Sequence, residues 1–170
     1  LSDFYQSFEP SYSQGDILSV SPYGVIRPSE EGEGGPWTFQ SKSGLAIVLT
    51  HDCTIDKSNT RFVQICPISP LKDLEPSLRG EVKKNRPFQY FYLPPDGELT
   101  ESFVDFAYPT TVSLSMVSGI PRLMTLSDLG RRALYVQYIR WVTRWEMRKI
   151  KCPGCGEDFN ASAALPVRKD

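Results

Sequence analysis

Gly44-Leu45-Ala46-Ile47-Val48-Leu49-Thr50 is a short continuous apolar run rich in β-formers, and a run of that kind predicts a buried central strand. Downstream, Asp56-Lys57-Ser58-Asn59-Thr60 is a turn cluster, and Arg61 to Ile68 restores strand composition up to the punctuating Pro67 and Pro70. The two strands are expected to pair. Upstream, Gly15-Asp16 opens Ile17-Leu18-Ser19-Val20, after which a loop rich in Pro and Gly is expected to run to Trp37. Further strands are expected at Phe88 to Leu93, Ser102 to Phe106 and Thr110 to Val117, with Pro94-Pro95-Asp96-Gly97 as a turn. Residues 72–86 are charged, and Leu71, Leu74 and Leu78 lie near helical spacing, which predicts a short exposed helix.

Beyond residue 120 the pattern changes from strand to helix. Thr125 and Ser127 offer caps for a helix from Asp128 to about Lys149. Leu134, Tyr138, Trp141 and Trp145 form one stripe, expected to pack on the sheet, while Arg140, Arg144 and Arg148 recur on a neighbouring face with Lys151 just beyond. The expected class is therefore α+β: a strand-rich core over residues 1–120 with a helical insertion near 72–86, then a long C-terminal helix and a cysteine-bearing tail over 121–170 packed on that core.

The scarcest residues point to a metal. The only histidine, His51, stands two positions before Cys53, and Cys152-Pro153-Gly154-Cys155-Gly156 has the C-x-x-C spacing that puts two thiolates on one side of an ion. His51, Cys53, Cys152 and Cys155 together would complete a closed tetrahedral zinc site, a zinc knuckle tying the tail to the end of the second core strand. Cys66 is the alternative ligand, but its apolar strand favours a buried, inert thiol. Other chemistries fit less well. A thiolate-imidazole dyad at His51 and Cys53, oriented by Asp52 or Asp56, would need two heads converging from i and i+2 of an extended segment. A zinc hydrolase would need one ligand fewer and an open water position. Thiol redox chemistry prefers a C-x-x-C at a helix N-terminus, whereas this one follows a helix end and Lys149-Ile150-Lys151.

Composition sets the remaining bounds. The 170 residues are enough for one domain with a real core, with 19 Lys and Arg against 20 Asp and Glu. No apolar run approaches the roughly 20 residues of a membrane span, and Leu1-Ser2-Asp3-Phe4 lacks the order of a signal peptide, so a cytoplasmic protein without a membrane is expected. Charge is unevenly spread. Glu30, Glu31 and Glu33 sit in a Gly-rich stretch, whereas Arg131, Arg132, Arg140, Arg144, Arg148, Lys149 and Lys151 crowd the C-terminal third. Such a stripe suits nucleic acid or an acidic protein partner, and equally suits a solvated helix face whose cations complement the dipole. The aromatic strand Phe88 to Leu93 offers either a stacking platform or core filling.

Gly15-Asp16-Ile17, the Ser29 to Gly35 loop, the strand ending Val48-Leu49-Thr50, and Val63 to Ile68 followed by Ser69 resemble the strand order of PemK/MazF-type toxins over residues 14–71. The resemblance implies that the core over residues 1–120 is a small SH3-like antiparallel β-barrel on which the C-terminal helix and tail pack, in a family that is usually a homodimer and cleaves single-stranded RNA without metal. The family's Arg-Pro pair is replaced here by Gly44-Leu45, so its catalytic arginine is missing, and its threonine is matched by Ser69. The expected function is thus a zinc-stabilised binding or regulatory module on a toxin-like barrel. The alternatives are a diverged endoribonuclease using Ser69 with Arg27 or Lys42, or a zinc-dependent hydrolase.

Overall fold

The computed structural model describes residues 3–7, 11–28, 37–56, 59–143, 150–151 and 158–159. Its strands are β1 (Tyr5–Gln6), β2 (Asp16–Pro28), β3 (Trp37–Val48), β4 (Phe62–Pro70), β5 (Tyr90–Leu93), β6 (Ser102–Asp105), β7 (Thr110–Ser113), β8 (Arg122–Leu126), β9 (Ile150–Lys151) and β10 (Asp158–Phe159). The helices are α1 (Asp52–Ile55), α2 (Pro76–Lys83), α3 (Leu114–Val117) and α4 (Asp128–Thr143), with a 3-10 turn at Leu71–Asp73. Eight strands form an antiparallel sheet in the order β1-β8-β2-β3-β4-β6-β5, and β7 pairs with β4 beside β6. The α+β class and the antiparallel sheet agree with expectation. Closure into a barrel does not: the path ends at β1 and β5, and these ends do not pair among the described residues. Side chains nevertheless link the strands across the gap: Tyr5 Oη in β1 donates to Pro94 O, just after β5, at 2.7 Å, and Thr110 Oγ1 in β7 donates to Gly24 O in the outer half of β2 at 2.9 Å.

The central apolar run is explained by burial on both faces. Ile17, Ile47, Leu49 and Cys66 face one cluster, completed by Phe91, Phe106, Leu126 and Leu134. Their neighbours Leu18, Ala46, Val48 and Ile65 face a second cluster, closed by Val112 and Val117. Alternation with period two therefore puts apolar residues on each side, which reads in sequence as an unbroken hydrophobic run. Each fully buried Ile or Leu contributes about 1.5–3 kcal/mol relative to an exposed one.

Several elements run further than local pattern indicates. β2 and β3 extend into a long hairpin by pairing Tyr23 through Pro28 with Lys42 back to Trp37, across a register shift between Val20 and Tyr23. β4 continues through Pro67 to Pro70. β7 pairs with residues Phe62 to Ile65 and β6 with Ile68 to Pro70, so Pro67 falls in the gap between these neighbours, where a missing N–H breaks no ladder on that side. The sheet also continues past residue 120, because β8 pairs with both β2 and β1.

α4 lies against the first cluster through Ala133, Leu134 and Gln137, flanked by Tyr138 and Trp141, as the apolar stripe predicts; Trp145 lies outside the described residues. Ser127 caps it: its Oγ accepts from Gly130 N at 3.3 Å and donates to Asp3 O at 2.6 Å. Gly130 marks the closest approach of α4 to the N-terminal segment. A Cβ there would stand 2.8 Å from Phe4 O and 3.1 Å from Leu126 Cβ. The Phe4 carbonyl also accepts from Ser127 N, so it has little freedom to retreat. Gly130→Ala is expected to lower stability by about 1–3 kcal/mol despite alanine's better helix propensity, measured by urea unfolding. Equal or greater stability would show that α4 can shift freely over β1. Among the described residues, no helix is long and apolar enough to cross a membrane.

Candidate functional site

The strand β3 ends at Val48, and the chain then turns at His51 into the single helical turn α1. His51 O accepts from Thr54 N at 2.9 Å and from Ile55 N at 3.2 Å, and Ile55 anchors the turn in the second cluster. The extended geometry expected for His51 and Cys53 is therefore corrected: the backbone of Cys53 lies inside a helical turn that His51 leads into, so the two positions do not alternate along a strand. Local capping outcompetes extension here because the carbonyl of His51 finds two donors at once. A dyad from same-side projection loses its basis.

The His51 side chain is exposed and borders an open groove of about 360 Å³ lined by Gln14, Asp52, Asp128, Arg131, Arg132 and Tyr135. The His51 ring meets the Tyr135 ring edge-on at 6.4 Å. Asp52 holds the floor together, accepting from Gln14 N and lying 3.6 Å from Arg131 Nη1. Arg131 also donates to Asp128 Oδ1 at 2.8 Å, and Gln14 Nε2 donates to Leu49 O at 2.8 Å. The groove thus joins the loop before β2, α1 and the first turns of α4. Sequence reading identified His51 and Asp52 but not Gln14 or Tyr135, whose contribution depends on how distant segments meet.

The metal hypothesis meets only part of its residues here. Among the described residues, no group of three or more His, Cys, Asp or Glu side chains could hold a metal ion. Cys152 and Cys155 lie outside the described residues, and Cys53 is described by its backbone alone. The strands that bracket the cysteines are paired, with Lys151 opposite Asp158 and Ile150 opposite Phe159. Cys66, the alternative ligand, is buried, and its Sγ–H donates to Asp105 O at 2.9 Å. Burial, reinforced by the Asp105 charge, pushes its thiol well above the ordinary range, which keeps it protonated and inert.

The basic stripe is also distributed differently from its sequence pattern. Arg140 donates to Gln137 Oε1 at 2.8 Å and to Asn85 O at 3.3 Å, and its guanidinium lies 4.6 Å from the Phe88 ring centroid. It braces the turn after α2 and is only partly exposed. Arg132 is exposed on α4, Arg144 and Arg148 lie outside the described residues, and Lys151 is described by its backbone in β9. The aromatic strand is likewise spent on packing, since Phe91 and Leu93 enter the core and Tyr90 stands edge-on to Phe103 at 5.3 Å.

Gly44-Leu45 and Ser69, the positions compared with the toxin family's Arg-Pro pair and threonine, border the same groove. Ser43, Gly44, Leu45, Ser69, Pro70 and Thr100 line one groove of about 340 Å³ at the far end of β3 and β4. It offers hydroxyls, and no cation is among its described lining residues. Arg27 and Lys42, the substitutes considered for the missing arginine, are described by their backbones in β2 and β3. No model of a known protein family matches the chain, and a search of curated proteins finds no match.

Proposed function

We propose that the chain is a zinc-stabilised binding module on a toxin-like, SH3-like fold, contacting nucleic acid without cleaving it. The observation that carries the zinc is the pairing of β9 with β10 around Cys152-Pro153-Gly154-Cys155. An antiparallel hairpin is the usual mount of a zinc knuckle, because it presents two thiolates from one tight turn. Cys152 and Cys155 would hold the ion with Cys53 and His51, and a bound zinc would stabilise the chain by holding these segments together. The toxin-like fold is supported by the start of β2 at Asp16, by the β2-β3-β4 meander, by the return of β8 to β2, and by the Thr110 to Gly24 contact.

Binding is favoured over RNA cleavage by the groove at Ser69. Phosphodiester cleavage needs a cation poised at the phosphate and a proton-transfer group, and the described lining supplies neither. The absence of an arginine at Gly44-Leu45 agrees with this. Elemental analysis of the purified protein is expected to find one zinc per chain, lost in Cys152→Ala, Cys53→Ala and His51→Ala together with a fall in thermal midpoint, and kept in Cys66→Ala. Metal-free protein, or zinc retained in Cys152→Ala, would remove the zinc from this reading.

A further inference from the structure

The first residue of β4 breaks the rule that large apolar side chains on a strand are covered. Phe62 is 62% exposed. It pairs with Ser113 on β7 and, with Arg61, Thr60, Leu114, Ser115 and Ser118, borders an open groove of about 600 Å³. The polar side of that groove is made of hydroxyls: Ser113 and Ser115 Oγ lie 2.6 Å apart, and Ser118 Oγ donates to Ser115 O at 2.9 Å. Among the described residues, the exposed Arg61 has no ion-pair partner and no carboxylate lines the groove. The surface therefore combines an exposed aromatic ring, an adjacent cation and hydroxyl groups, with no acid among its described residues.

We infer that this groove is a stacking site for single-stranded nucleic acid, with a base on the Phe62 ring and a neighbouring phosphate at Arg61. The inference rests on the nucleic-acid reading above and gives it a location. Three physical points lead to it. An exposed ring has a free π-face, which every base can use irrespective of sequence. A guanidinium with no described acid beside it complements phosphate, and because Ser113 and Ser115 share one hydrogen bond, one of their two hydroxyl protons is left to donate to a phosphate oxygen. A protein anchor, by contrast, needs an enclosed apolar pocket, whereas this groove is open and carries one large exposed ring. The site lies at the opposite end of β4 from Ser69, about 23 Å along the strand at about 3.3 Å per residue, so it is separate from the toxin-like groove.

The test is fluorescence anisotropy of the full chain with short labelled oligouridylate and oligothymidylate, at about 50 and about 200 mM salt, the range over which phosphate contacts weaken steeply. Phe62→Ala is expected to weaken binding about tenfold or more, and Phe62→Tyr to retain it, because loss of a stacked base is the effect read. Arg61→Gln is expected to flatten the salt dependence by about 0.7 in the log–log slope, one phosphate contact on a single strand. The thermal midpoint of Phe62→Ala should stay unchanged, since the ring is largely in water already. Binding by the wild type that is insensitive to Phe62→Ala would overturn this location and leave the nucleic-acid reading standing. No binding of either oligonucleotide would overturn both. Equal affinity for a duplex, or Phe62-dependent binding of polyglutamate in place of the oligonucleotides, would overturn the single-strand assignment, and the second would give the groove to an acidic protein.

Discussion

Replacing Gln137 by leucine is expected to destabilise the folded chain by about 3 kcal/mol or more, although leucine is apolar, similar in size and at home in a helix core. Gln137 is 0% exposed. Its Nε2 donates to Pro87 O at 2.7 Å, to Tyr90 O at 2.9 Å and to Asn85 O at 3.3 Å, while Oε1 accepts from Arg140. These carbonyls belong to a turn with few other donors. α2 ends with Asn85 in the left-handed region at φ 49°, where Asn85 N bonds Val82 O and Arg86 N bonds Glu81 O, and Asn85 Oδ1 then accepts from Tyr92 N at 2.8 Å. The outer edge of β5 is thereby covered by side chains instead of another strand. Leucine would take this donor from the Tyr90 carbonyl and leave Pro87 O and Asn85 O with single long bonds of 3.3 Å, from Tyr90 N and Arg140 Nη1, and each buried carbonyl so deprived costs about 1–3 kcal/mol. Urea denaturation would measure the loss. A change below about 1 kcal/mol would show that water or a shifted Arg140 replaces the amide, and that Gln137 is not the keystone of this turn.

A comparable loss is expected at the other end of the sheet. Asp16 is buried at the start of β2 and lies 3.3 Å from Arg122 Nη1, with side-chain exposures of 1% and 11%. Arg122 also donates to Ser11 O at 2.8 Å and stacks 4.4 Å from the Tyr12 ring, and Asp16 accepts from Ser13 N at 3.0 Å. The pair therefore clamps residues 11–16 onto β8. Removing one partner strands the other charge in a low-dielectric place, so Asp16→Ala or Arg122→Met should each cost about 3–5 kcal/mol. The double variant should lose less than the sum of the two, because it leaves no isolated charge. Additive losses would mean that each residue acts through its backbone contacts alone. The clamp also reaches the groove at His51: Gln14 lies inside the clamped loop and donates its backbone N–H to Asp52. Loosening it is expected to raise amide exchange at Gln14 and through α1 before the rest of the sheet responds.

What could be read from sequence was what short-range chemistry determines. The run from Gly44 to Thr50 and the strand from Arg61 both place apolar residues where a sheet buries them, and Ser127 announces the start of α4 through its own hydroxyl. Arg122 to Leu126 gave no such sign. It mixes charge, sulfur and hydroxyl without alternation, and it is a strand because β2 and β1 flank it after more than a hundred residues of intervening chain. The same holds for side-chain roles. Arg140 reads as one of a series of surface cations, yet it is drawn inward by Gln137 and the Asn85 carbonyl, which come from separate parts of the sequence. Phe62 reads as one more strand aromatic and is left in water because it stands at the first position of β4, beside the serines of β7 and α3. Periodicity, capping and spacing act over a few residues, so the sequence by itself determined the α+β class, the central strands and the candidate metal-binding residue types. Register, burial of polar groups and which cations remain exposed depend on pairing between distant segments, whose contact energies no local pattern contains, and these the tertiary structure alone decided.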